Sequence, residues 1–195
     1  MNDLAAAGEG SEELERAKQD AVPAEGAASE GRTAAVFFVG NRLMLDEGLA
    51  PAVYDELVAN YEVPDNVFLF DVGCMSLDML PYVEKCDVIL TVDAVDNTGD
   101  PAGTVYRFPP DAMARHTGAM ASLHDLKLVD LFDAASLLGY EADGYCLGMQ
   151  VENMYPSEYA VGLTEPVSKA FPLLVETVLA ELHSRGFDLK KKTAC

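Results

Sequence analysis

The chain has 195 residues, 50% of them hydrophobic, and a formal net charge of −20. Such a length suits one domain of ordinary size with a sizeable core, plus a tail. The acidity argues against nucleic acid and against an acidic membrane surface as partners, because both demand a basic footprint; a basic or metal-carrying partner fits better. Residues 1–32 are rich in Ala, Gly and Glu, and Leu4, Leu14 and Val22 are their sizeable apolar side chains after the initiator. A segment of that composition buries no core, so it is expected to be a disordered acidic extension. A single domain is expected over residues 33–188, followed by a short tail over residues 189–195.

From Thr33 onward the pattern alternates between strand and helix. Val36 to Val39 predicts a buried strand, and Leu49 to about Tyr61 a helix that tolerates Pro51 in its first turn. Pro64-Asp65-Asn66 breaks the chain before a second strand, Val67 to Phe70, ending at Asp71. A short helix from about Ser76 to Val83 leads to a third strand, Val88 to Val92, ending at Asp93. Turn residues crowd Asn97 to Gly103, and Thr104 to Phe108 reads as a short strand, an antiparallel edge candidate stopped by Pro109-Pro110. Ser122 is the expected N-cap of a helix reaching Gly139; Tyr145 to Val151 is a further strand, and Thr164 caps a long final helix. Alternation of this kind predicts an α/β fold, a three-layer α/β/α sandwich.

The first strand runs into Gly40-Asn41-Arg42-Leu43-Met44-Leu45-Asp46-Glu47-Gly48. This is where a Rossmann phosphate loop would lie, but its two carboxylates would repel a pyrophosphate. The loop therefore points to a cation. Glu47 after strand one, Asp93 at the close of strand three and His124 in the first turn of a later helix are all placed at the sheet edge where open parallel sheets bind ligands. Two carboxylates and an imidazole suit a divalent transition ion such as nickel, zinc or iron. Each residue has a plainer reading: Glu47 near a helix N-terminus, Asp93 capping a turn, His124 bonded to a neighbour. Asp71 is a fourth candidate, with a structural role in its loop. Asp46, Asp96 and Asp100 are expected to be solvated or turn-forming.

Other chemistry has less support. No serine lies in a G-x-S-x-G elbow, and the acidic surroundings of Cys74 would raise its thiol pKa, which disfavours a nucleophile there. Cys74, Cys86, Cys146 and Cys195 form no C-x-x-C pair and read as separate thiols. With no signal-peptide pattern and no apolar run near ~18 residues, a soluble, reducing, cytoplasmic setting is expected.

Taken in order, these residues resemble the hydrogenase maturation endopeptidases, which trim the C-terminal extension of the large subunit of nickel-iron hydrogenases. The resemblance rests on the Gly40 to Gly48 loop, on Asp71-Val72-Gly73-Cys74, on Val92-Asp93-Ala94-Val95 and on His124 preceding Leu126 and Leu128, and it covers about Ala34 to Gly186. The chain departs from the pattern at Phe38 and Ala50, where the family has glycine, and in the Val72-Gly73-Cys74 turn. The resemblance implies a twisted, mostly parallel five-stranded sheet and no permanent cofactor. It further implies that Glu47, Asp93 and His124 bind nickel supplied by the substrate, the precursor of the hydrogenase large subunit. The group that cuts the bond is left open. The alternative within the same setting is a nickel-binding accessory or chaperone-like module that holds the precursor without cleaving it.

Overall fold

The computed structural model describes residues 31–73, 77–109 and 123–193, with the side chains of residue 77 and residues 123–129 left out. The N-terminal extension before Gly31, Cys74, His116, the Ser122 cap and Cys195 lie outside these residues. Five strands form the main sheet in the order β3-β1-β4-β6-β5: β1 (Ala34–Val39), β3 (Val67–Gly73), β4 (Val88–Val95), β5 (Val105–Phe108) and β6 (Asp143–Gln150). The first four in spatial order run parallel, and β5 closes one edge antiparallel to β6. The expected mostly parallel α/β/α sandwich is therefore what the chain adopts, edge strand included.

Every residue of β1 and β4 is buried, as expected for strands with helices on both faces. Alternation along β4 sends Leu90, Val92 and Ala94 to one layer and Ile89 to the other. The first layer is built by α1 (Leu49–Asn60) and α4 (Glu165–Ser184), the second by α2 (Leu80–Lys85) and α3 (Leu123–Leu137). Full burial of side chains such as Phe37, Leu57, Leu90 and Leu147 stabilises the sandwich by roughly 1.5–3 kcal/mol apiece.

Three details differ from the sequence reading. β4 runs to Val95, so Asp93 lies inside the strand and not beyond its end. The short helix splits into a 3-10 turn, Leu77–Met79, followed by α2. Residues 189–193, expected as a tail, return to the domain: β7 (Lys190–Lys191) pairs antiparallel with β2 (Tyr61–Glu62), and the Lys192 ammonium donates to the carbonyls of Val58 and Ala59 at 2.8 and 3.2 Å. Lys192 thus satisfies carbonyls at the end of α1, where a cation is favoured by the helix dipole. Among the described residues, no helix is long and apolar enough to cross a membrane.

Candidate active site at the carboxyl edge of the sheet

The loop after β1 is shaped by its glycine. Gly40 has φ +148°, and a Cβ there would fall 2.1 Å from the Glu47 carbonyl oxygen, so a side chain cannot be accommodated. The close approach lets the Asn41 amide donate to that carbonyl at 3.2 Å, while the Asn41 side-chain oxygen accepts from the Leu43 amide at 3.0 Å. The loop folds back on itself and ends in a 3-10 turn, Leu45–Gly48. That turn packs against β4.

Arg42 fixes the loop from outside. Its guanidinium donates to Asp71 at 2.7 and 3.0 Å, to both carboxylate oxygens of Asp55 on α1, and to the Pro51 carbonyl at 3.3 Å. Asp71, expected to serve the loop that follows its own strand, is instead an anchor of the loop after β1. The Asp55 and Asp71 carboxylates raise the Arg42 pKa further, so the anchor keeps its charge.

The two adjacent acids of the turn differ in role. Asp46, expected to be solvated or turn-forming, is fully buried and accepts four hydrogen bonds: from the amides of Glu152, Asn153 and Thr164 at 3.2, 2.9 and 2.7 Å, and from the Thr164 hydroxyl at 2.9 Å. Those donors compensate the burial of a charge. They also divert Thr164, which occupies the N-cap of α4 without capping it through its side chain. A parallel bridge adds to the clamp, with the Leu45 amide donating to the Ala160 carbonyl at 2.7 Å and the Ala160 amide to the Leu43 carbonyl at 2.9 Å. The segment 152–164 is thereby bolted to the acidic turn.

Glu47 is 7% exposed and Asp93 4% exposed, so both are buried carboxylates. Burial pushes the Glu47 carboxyl above its ordinary range. Asp93 accepts from the Ala94 amide at 2.8 Å and shares a strand face with Ile89, towards the layer of α3. His124 is the second residue of α3. Because α3 returns the chain to the start of the parallel strand β6, its N-terminus lies at the carboxyl edge of the sheet. Topology thus brings Glu47, Asp93 and the backbone of His124 to one edge, while the His124 side chain lies outside the described residues. Among the described residues, no three His, Cys, Asp or Glu side chains form a group that could hold a metal ion.

The rim of the edge is also ordered. Gln150 at the end of β6 accepts from the Thr98 amide and hydroxyl at 3.0 and 2.5 Å, and its own amide donates to Asp96 at 3.3 Å. The Tyr106 hydroxyl donates to Asp100 at 2.7 Å. Asp96 and Asp100 serve the turn that follows β4, as expected.

The sequence reading missed the Asp46 clamp and its partner segment. The available signal was Thr164, a residue typed as a helix cap, whose amide and hydroxyl both turn to the buried acid.

Comparison with known proteins agrees with this architecture. The hydrogenase maturation protease family matches residues 51–181. The hydrogenase expression/formation protein HupD of Bradyrhizobium diazoefficiens is 34% identical over 168 residues, covering 86% of each chain. The hydrogenase 2 maturation protease of Escherichia coli is 26% identical, over 78% of this chain and 92% of its own. The structure of the hydrogenase maturating endopeptidase HybD from E. coli superposes with a TM-score of 0.74 at 25% identity, covering 82% of this chain and 98% of that one. The chain belongs to the hydrogenase maturation protease family and is an endopeptidase of that family.

Proposed function

We propose that this protein removes the C-terminal extension of a nickel-loaded precursor of a nickel-iron hydrogenase large subunit, and that the nickel is the feature it recognises. The observation that carries the reading is the burial of Glu47 and Asp93 at one sheet edge, in a protein whose acidic surface already favours a cationic partner. Two carboxylate oxygens and the His124 imidazole make a donor set for a borderline divalent ion. Such a set leaves coordination positions open for the ligands the precursor itself brings. The metal then belongs to the substrate, and the enzyme keeps no permanent cofactor.

Coordination of the metal gives this arrangement its selectivity. A cation offsets the cost that burial imposes on a carboxylate, and a metal-free precursor offers no such compensation. A divalent ion held by Glu47, Asp93 and His124 would supply Lewis acidity able to polarise a carbonyl or activate water.

The test is incubation of the protein with loaded and metal-free precursor, read by intact mass. Loss of a C-terminal peptide from the loaded form alone is the expected result. Equal cleavage of both forms removes the nickel requirement, and binding without cleavage favours a holding role.

A further inference from the structure

Exposed large apolar residues gather beside the acidic turn: Leu43 at 51%, Tyr159 at 82% and Val161 at 78% exposed, with the ring of Tyr155 also at the surface. They are one patch, because the Leu43 and Ala160 backbones are joined by the bridge that flanks Met44, and side chains alternate about it. Contiguous exposed apolar surface marks an interaction site, and tyrosine is enriched among the residues that dominate binding. Its distance to the site is fixed, since Asp46, the immediate neighbour of Glu47, holds residues 152, 153 and 164.

The charge around the patch selects what covers it. Residues 152–164 contain no Lys, Arg or His, and Glu152 and Glu158 are exposed. Arg42, beside Leu43, is committed to Asp55 and Asp71. The N-terminal extension of this chain carries more acids than bases, so its charge does not complement the patch.

We infer that Leu43, Tyr159 and Val161 are the docking surface for a segment of the protein substrate in which an aromatic or aliphatic residue is flanked by Lys or Arg. This rests on the proposed peptidase reading and adds a second point of recognition to it. The metal site tests whether the precursor is loaded; the patch holds the polypeptide so that the metal and the scissile bond arrive together.

The experiment compares the full-length wild type with Tyr159→Ser/Val161→Ser and with Glu158→Lys, using nickel-loaded precursor, and reads KM, kcat, the Kd by fluorescence anisotropy, and Tm. The double variant is expected to raise Kd and KM roughly tenfold or more with kcat and Tm unchanged. Glu158→Lys is expected to weaken binding more at low salt than at high salt. Wild-type Kd and KM in the double variant would overturn the inference while leaving the peptidase reading intact. A wild type that binds precursor but never cleaves it, with binding lost in the double variant, would sink the peptidase reading and keep the docking surface. A dimer in sedimentation that the double variant converts to monomer would assign the patch to a second copy of this chain and overturn the inference.

Discussion

Glu47 and Glu181 are both buried glutamates, and the fold treats them oppositely. Glu181 on α4 is subject to the cost of burial, but it accepts from Arg107 of β5 at 2.9 and 3.2 Å and from Arg185 at 2.8 Å, and its pKa ends below the ordinary value. Arg107 and Arg185 also stand over the Tyr145 ring, 3.5 and 4.5 Å from its centroid, and Arg185 reaches Asp143. The network ties the antiparallel edge strand to the final helix with its charges matched. At Glu47 burial prevails and the pKa ends above the ordinary value. The two buried glutamates thus end on opposite sides of the ordinary carboxylate range, one lowered by its guanidinium partners and the other raised by burial.

The largest expected effect is on activity at the site. Asp93→Asn or His124→Ala should lower the rate of precursor cleavage by roughly 100-fold or more, the scale of losing a metal-binding group. Circular dichroism melting beside the cleavage assay separates this from unfolding. An unchanged rate in both variants would remove these residues from the site.

Removing the guanidinium-paired carboxylate should cost stability instead. Glu181→Ala leaves two largely buried guanidinium groups without their shared acceptor, with Arg107 and Arg185 side chains only 19% and 11% exposed. A loss of about 3–5 kcal/mol in urea unfolding is expected. The pH sign follows from the depressed folded pKa. The stabilisation is fully present above the unfolded glutamate value near ~4.3 and is lost as pH falls through the folded one, so Glu181→Gln should flatten the acid limb of the stability curve.

Asp46→Ala removes the acceptor of three amides and a hydroxyl, and should destabilise by about 3 kcal/mol while raising KM, because the segment 152–164 loses its bolt. Hydrogen exchange confined to that segment would locate the effect. A variant with wild-type exchange there would show that the bridge at Met44 suffices.

The smallest effect has the opposite sign. A raised folded pKa at Glu47 means that its contribution to stability is present below the unfolded value and is lost as pH rises through the folded one. At neutral pH Glu47→Gln should therefore raise the Tm of the metal-free protein slightly, while weakening nickel binding in calorimetry. A fall in Tm would mean that the charge of Glu47 is matched within the fold.

The sequence by itself determined the layers. Short runs rich in β-branched and apolar residues, Val36–Val39 and Val88–Val92, read as strands covered on both faces, and the spacing of Val167, Leu174, Val178 and Leu182 needs a helix against them. It also determined the Gly40-Asn41 turn, because backbone geometry is local. The tertiary structure alone decided which acid of the pair became a bolt, since the donors to Asp46 lie more than a hundred residues away in the chain. It alone returned Lys190–Lys191 to Tyr61–Glu62, a two-residue pairing with no periodicity to read. Periodicity records which face of an element is dry; only the folded chain determines which distant donors reach a buried charge.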